Sequence, residues 1–151
     1  MFRGINTINL DAKGRMAVPS RYRELLLSRY AGRLVATIDT QQKCLLLYPV
    51  DEWEVIEAEL EKLPSFDPLA RRAQRMLIGH ATDLEMDGNG RILLPQILRQ
   101  YAELEKHVAL VGQGKKFEIW SEALWSQQMD VWTSEASGDG ELSAEMRHIS
   151  L

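Results

Sequence analysis

The sequence predicts an α+β fold, mainly β, in which two similar half-domains share one chain of 151 residues. The first observation is an internal repeat, because INLDAKGRMAVP at 8–19 resembles LEMDGNGRILLP at 84–95. The second is that each copy reads as strand, tight turn and strand. The third is size, since a unit of roughly 55 residues buries a small fraction of its surface and is only marginally stable alone. The two copies are therefore expected to share one core.

The repeat keeps a constant spacing over its central motif, at an offset of 76 residues. Further along, residues 33–36 resemble residues 106–109, and Trp53 aligns with Trp125 at an offset of 72. Loops readily absorb a difference of this size. The motif pairs are Asp11 with Asp87, Gly14 with Gly90, Arg15 with Arg91, and Pro19 with Pro95.

Each copy is predicted to contain a strand, a tight turn, a short strand, a helix, a hairpin and a closing helix. Proline ends the short strand because it cannot donate a ladder hydrogen bond. Glycine in the turn supplies the positive φ that a short hairpin loop needs. The predicted strands are 2–10, 16–18, 34–38 and 45–48 in the first copy, and 81–86, 92–94, 108–111 and 117–120 in the second.

Apolar side chains at helical spacing predict the helices, among them those around Tyr22 and Leu98. Residues 51–54 resemble a capping box at the start of the first closing helix. Tryptophans at helical spacing in both closing helices are expected in a core or interface. A further helix over 69–78 carries three arginines, which are interpreted either as a solvated face or as a subunit or DNA contact.

The elements divide the chain into four segments. The first half-domain covers residues 1–63, and the second covers residues 80–132. Between them, prolines at 64 and 68 interrupt the pattern, so 64–79 is expected to be a linker with a helix. Residues 133–151 are small and polar with little periodicity, which predicts a flexible tail.

Composition excludes several classes of protein. Apolar residues make up 45% of the chain and charged residues 26%, as in ordinary globular proteins. No apolar run approaches the roughly 18 residues of a membrane helix, and the first residues lack the apolar core of a signal peptide. A single cysteine, Cys44, and three histidines predict no disulfide, no metal site and no cofactor. A cytoplasmic protein without a membrane partner is expected.

Charge is distributed unevenly, although the formal net charge is only −4. Residues 1–33 contain seven Lys or Arg against two acidic residues, so this segment carries +5 and the rest carries −9. One interpretation is a local footprint for a polyanion such as double-stranded DNA. The other is a solvated face whose arginine stems pack on the core.

The first turn offers a chemical reason for DNA contact. Asp11 is expected to accept hydrogen bonds from turn amides, and Gly14 lets the backbone bend. Arg15 would then project from the next strand toward a phosphate or a guanine edge. Lys13 at the apex and Arg3 on the adjacent strand are predicted to extend the basic patch. The competing interpretation is that Asp11 and Arg15 simply pair across their own turn, and Asp87 with Arg91 across theirs.

The second turn has the same motif in more acidic surroundings. Asp87, Gly90 and Arg91 repeat the first turn, but Asp83 and Glu85 lie close by in sequence. The local potential is therefore expected to be negative. The first copy is predicted to bind DNA, whereas the second is predicted to serve structure or oligomerisation. An enzyme is not expected, because the chain has no G-x-S-x-G, no phosphate loop and no H-E-x-x-H.

The paired D-x-x-x-R turns, DAKGRMAVP at 11–19 and DGNGRILLP at 87–95, resemble the duplicated AbrB-type motif of the MraZ family of bacterial transcriptional regulators. The start MFRG and the RYR at 21–23 resemble that family as well. The resemblance implies two intertwined swapped-hairpin half-domains that form a pseudo-twofold small β-barrel with flanking helices. It also implies sequence-specific binding to promoter direct repeats of the division and cell wall gene cluster.

The same resemblance implies a ring-like homo-oligomer of about eight subunits in a cytoplasmic, nucleoid-associated protein. Its motif arginines fall on Arg15 and Arg91, and their acidic partners on Asp11 and Asp87. AbrB-type hairpins also occur in antitoxins. An antitoxin-like protein-interaction module with little direct DNA readout is therefore the alternative function, and the segment 133–151 is the feature that would serve it.

Overall fold

The computed structural model describes residues 1–136 and 143–150. Both repeats contain the predicted series of elements. The first comprises β1 (Phe2–Asn9), β2 (Arg15–Ala17), α1 (Ser20–Tyr30), β3 (Arg33–Ile38), β4 (Leu45–Pro49) and α2 (Val50–Glu61). Next comes α3 (Pro68–Ala73), which continues as a π-helical turn over Gln74–Ile78. The second comprises β5 (Thr82–Glu85), β6 (Arg91–Leu93), α4 (Gln96–Tyr101), β7 (His107–Gly114), β8 (Phe117–Ser121) and α5 (Glu122–Ala136).

The strands form two sheets, and both mix the two halves. The larger sheet has the order β1-β7-β8-β4-β3-β5, and the smaller one consists of β2 and β6. The first strand of each half pairs with a strand of the other half, β1 with β7 and β5 with β3. The order reads the same when the halves are exchanged, as a pseudo-twofold arrangement requires. This mixed α+β architecture agrees with the predicted duplication.

The predicted small β-barrel is not confirmed. Among the described residues the hydrogen-bonded ladders end at β1 and at β5, so the large sheet stays open. Closure would require every strand to have two neighbours. Instead β2 and β6, each of three residues, pair in the described part of the chain only with each other.

The pseudo-twofold relation fixes which residues of the two halves are equivalent. Leu34 pairs with Leu84, and Val108 pairs with Ile8. Since Ile8 and Leu84 are equivalent, Leu34 corresponds to Val108 at an offset of 74 rather than the predicted 73. The predicted alignment was out by one residue because β3 and β7 are both largely buried on both faces. Their apolar residues do not alternate, so the sequence pattern does not fix which residues are equivalent.

One core is built from both halves, as the small size of each half requires. Phe2 of the first strand packs on Phe117 with ring centroids 4.3 Å apart. Met16 and Ile92 lie in the same buried cluster. Two smaller clusters lie under the closing helices, one around Trp53 and one around three tryptophans. The expectation that the tryptophans pack in a core is thereby confirmed.

The helix termini differ from two expectations. The start of α2 is not a capping box, because the helix begins at Val50 after Pro49, and no side chain caps it. The acidic side chains of 51–52 lie in its first turn, where they favour the helix dipole. At the other end of the chain, α5 runs to Ala136 and so includes the first residues of the predicted tail. Residues 137–142 and 151 of that tail lie outside the described residues.

The helices in the described part of the chain were compared with two expectations, a membrane span and ion pairs between helices. No helix in residues 1–136 or 143–150 combines the length and hydropathy that crossing a bilayer requires. The three arginines of the segment 69–78 are exposed. Within the described part of the chain they form no ion pair with the glutamates of α2.

Candidate nucleic-acid interface

The first D-x-x-x-R turn is closed by the carboxylate of Asp11. Its Oδ1 accepts hydrogen bonds from the amides of Lys13 and Arg15, both at 2.9 Å. Its Oδ2 accepts one from Nε of Arg15 at 2.8 Å. These donors, with the Arg15 amide first among them, lower the pKa of Asp11 to about 2. Gly14 has φ +88°, which explains why glycine stands there.

The second turn repeats this backbone. Asp87 Oδ1 accepts from the amides of Asn89 at 2.8 Å and Arg91 at 2.9 Å, and these two bonds lower the pKa of Asp87. Gly90 has φ +73°. The turns differ in one contact: the 2.8 Å ion pair of Asp11 and Arg15 has no counterpart between Asp87 and Arg91 among the described residues. Among the described residues, the aspartate and the arginine of the motif therefore form an ion pair in the first turn and not in the second.

The two turns lead into the β2–β6 ribbon, which joins the halves. Met16 lies opposite Ile92, and both are buried. Because side chains alternate along a strand, the residues on either side of them face outward. Arg15 lies opposite Leu93 on this outer face, and Arg91 lies opposite Ala17. The motif arginines are thus brought to diagonal positions on the partly exposed outer face of one ribbon.

Arg15 is partly exposed on this ribbon and keeps hydrogen-bond donors that could contact a ligand. Its side chain is 35% exposed, and only its Nε is used in the bond to Asp11. Neither terminal nitrogen of Arg15 donates a hydrogen bond to another described residue. A guanidinium held through Nε keeps its outer N–H groups for a phosphate or a base edge. Lys13 is exposed at the apex of the same turn.

Arg3 lies apart from the first turn. From Arg3 to Asn9 the strand β1 rises about 20 Å, so Arg3 is at the end remote from Asp11. Its carbonyl accepts a hydrogen bond from the hydroxyl of Tyr22, and Arg21 on the same helix bonds the side chain of Asn6. The structure therefore groups Arg3 with the start of α1 rather than with Lys13 and Arg15.

The surroundings of Arg91 are less acidic in space than in sequence. The exchange of strands brings Arg23 of the first half against Gly90, and Glu85 lies opposite Arg33 in the β3–β5 ladder. The charge of Arg15 also contributes to the lowered pKa of Asp87, so the two turns interact electrostatically. The expected negative potential was inferred from neighbours in sequence, and it omits these cations from the other half.

Two arginines beside the turns were missed by sequence reasoning. Arg23 and Arg99 each lie eight residues after a motif arginine, so they share the repeat offset of 76. Arg23 packs on Gly90, and Arg99 packs on Gly14. The repeated spacing was the available signal. The spacing does not show that each arginine contacts the turn of the other half, because that contact depends on the exchange of elements between the halves.

One further cluster of polar side chains lies away from the ribbon. Asp39, Cys44 and Glu118 bring potential metal ligands within 4.8 Å of one another, a grouping that the sequence did not predict. The thiol of Cys44 donates to Asp39 at 3.5 Å, and Glu118 accepts from the indole of Trp120. Burial raises the pKa of Cys44 far above its usual range, so the thiol keeps its proton. These contacts account for the cluster as hydrogen-bonded packing.

Comparison with known proteins agrees with the duplicated turn. A family model described as "MraZ protein, putative antitoxin-like" matches the chain twice, over residues 1–76 and 77–142. A protein of Halorhodospira halophila named transcriptional regulator MraZ is 55% identical over 152 residues, which covers 100% of both chains. Proteins of the same name from Alkalilimnicola ehrlichii and Coxiella burnetii are 57% identical over 93% of both chains and 53% identical over 100% of both chains. The chain therefore belongs to the MraZ family.

Proposed function

We propose that this protein is a DNA-binding transcriptional regulator that contacts double-stranded DNA through the β2–β6 ribbon and the first turn. The observation that carries the proposal is the position of Arg15. It stands on the outer face of a two-stranded ribbon and is held through Nε, and its terminal nitrogens are unused by other described residues. Two-stranded ribbons fit the grooves of B-DNA. Relatives of this chain carry the name transcriptional regulator.

The roles of the individual residues follow from their chemistry. Arg15 contacts a phosphate or the O6 and N7 atoms of guanine. Lys13 contacts a phosphate, whereas Gly14 is buried against Arg99 and acts through the positive φ that shapes the turn. Arg3, on β1 beside the start of α1, contacts DNA beyond the turn. Asp11, Asp87, Gly90 and Arg91 hold the two turns in shape.

The assembly and the target are part of the proposal. A few basic groups per chain bind weakly, so a ring of about eight subunits on successive promoter direct repeats would gain affinity through multivalency. The proposal includes a promoter that precedes the division and cell wall gene cluster, and a protein that acts on the nucleoid in the cytoplasm. Native mass spectrometry of the full chain tests the ring, and footprinting upstream of its own gene tests the repeats.

The decisive experiment compares DNA binding by wild-type protein, Arg15→Ala and Arg29→Ala. Arg29 is an exposed arginine in the last turn of α1, outside both motif turns, so it controls for loss of one charge. Fluorescence anisotropy with a duplex from the upstream region should show at least about a tenfold loss for Arg15→Ala and less than about a twofold change for Arg29→Ala. Equal binding by wild-type protein and Arg15→Ala would contradict the proposed contact.

A further inference from the structure

The guanidinium of Arg99 lies against the first turn, although Arg99 belongs to the second half. A Cβ placed on Gly14 would stand 2.6 Å from Nε and 2.7 Å from Cζ of Arg99. At such distances a side chain at position 14 would displace the guanidinium of Arg99. Gly14 therefore serves two purposes, since it supplies φ +88° and it admits the guanidinium of the opposite half.

The same arrangement occurs a second time in the molecule. A Cβ placed on Gly90 would stand 2.7 Å from Cδ and Cζ of Arg23, which belongs to the first half. Arg23 and Arg99 are equivalent residues of the repeat, as are Gly90 and Gly14. The reciprocal contact indicates that the placement is a property of the fold rather than of one surface side chain.

The position of Arg99 is fixed by one backbone residue that also holds the turn. Nε of Arg99 donates to the carbonyl oxygen of Leu94 at 2.9 Å, and the amide of Leu94 donates to the carbonyl oxygen of Gly14 at 2.9 Å. The guanidinium and the turn are thereby held to the same residue. A cation arranged in this way loses little conformational entropy when it meets an anion.

The outer nitrogens of Arg99 remain unused by the described residues. Its single hydrogen bond uses Nε, and no carboxylate in the described part of the chain lies within ion-pair distance of it. Four N–H donors therefore stay available beside the turn that presents Arg15 and Lys13. A role in packing alone would not require an unpaired cation at this place.

We propose that Arg99 is a phosphate-binding residue for the same DNA backbone that the first turn contacts, so that each DNA contact is assembled from both halves of the chain. This inference rests on the proposed function. Arg99 and Arg15 then contribute two guanidinium groups to one phosphate track, one from each half. DNA binding consequently requires the exchanged arrangement of the halves and not the motif of the first half alone.

The test measures the salt dependence of DNA affinity for wild-type protein, Arg99→Gln, Arg99→Lys and Arg29→Gln. The probe is the upstream duplex, titrated with full-length protein at salt concentrations from about 50 to 200 mM. Arg99→Gln should weaken binding by about tenfold and lower the slope of log K against log salt by roughly 0.9 for each bound subunit. Arg99→Lys should restore the slope, because its charge is kept, while Arg29→Gln should match wild type.

Each other outcome has a definite meaning. If Arg99→Gln keeps the wild-type slope, Arg99 only supports the turn and the phosphate contact is wrong, even where the affinity or melting temperature falls. If wild-type protein binds the duplex, Arg15→Ala loses binding and Arg99→Gln does not, this inference alone fails. If wild-type protein binds no DNA at all, the proposed function fails and this inference fails with it.

Discussion

Met16 of the first half stands directly opposite Ile92 of the second half at the centre of the β2–β6 ribbon. Their exposed fractions are 1% and 0%, so one residue from each half is buried at the inner face of the ribbon. Neither half could bury this pair alone. The outward-facing arginines are therefore held in place by a contact between the halves.

Truncating this pair should destabilise the whole protein. Ile92→Ala removes buried carbon atoms and leaves a cavity, which should lower the free energy of unfolding by about 2–5 kcal/mol. Leu93→Ala is a matched control on the neighbouring residue, whose side chain is 53% exposed, and should change it by less than about 1 kcal/mol. Urea denaturation followed by circular dichroism measures both. Equal losses in the two variants would contradict the assignment of the inner face.

The turns show what local sequence can predict. Asp at the first position, Gly at the fourth and Arg at the fifth specify hydrogen bonds within five residues, and both turns form as expected. The repeat also predicted the order of strands and helices correctly. These features depend on neighbours in sequence or on periodicity, which the sequence displays directly.

Contacts between the halves could not be read in the same way. The apolar pattern of a strand does not show whether it pairs within its own copy or with the other copy. The exchange of β1 and β5 was therefore predicted from the family resemblance. The alignment of β3 with its equivalent strand β7 was out by one residue because both strands are largely buried on both faces. Arg99 was missed for a related reason, because its proximity to Gly14 exists only after the exchange.

The carboxylate of Asp11 should make the first turn sensitive to acid. Its pKa in the folded protein is about 2, below the usual 3.8, so the turn is stabilised above pH 4. This stabilisation is lost as the pH falls from about 4 through 2, because protonation weakens the bonds to the Lys13 and Arg15 amides. The chemical shifts of these two amide protons should titrate in that range. In Asp11→Asn they should not titrate there, and a midpoint near 4 in wild-type protein would refute the bonded carboxylate.

Two glycines of the second turn should respond differently to alanine. Gly90 has φ +73°, and its Cβ would collide with the side chain of Arg23. Gly90→Ala should therefore cost more than about 1 kcal/mol of stability. A Cβ on Gly88 meets nothing within 4 Å, so Gly88→Ala should stay within about 0.5 kcal/mol of wild type. Thermal unfolding of both variants makes the comparison, and equal stability of the two variants would contradict the positive φ at Gly90.

The hydroxyl of Tyr30 offers a stabilising substitution. Tyr30 is buried at the end of α1, and its Oη has no hydrogen-bond partner among the described residues. A buried hydroxyl without a partner loses its bonds to water and gains nothing in return. Tyr30→Phe removes that oxygen and keeps the ring, so it should raise the free energy of unfolding by about 1 kcal/mol.

Tyr22→Phe is the matched comparison for this last prediction, because the Tyr22 hydroxyl lies on the same helix and bonds the carbonyl oxygen of Arg3. It should lower the free energy of unfolding by about 1 kcal/mol, since a satisfied hydrogen bond is lost. Urea denaturation of the two variants should thus give shifts of opposite sign. A destabilised Tyr30→Phe protein would mean that the Tyr30 hydroxyl has a partner in solution, such as a bound water or a second copy of the chain.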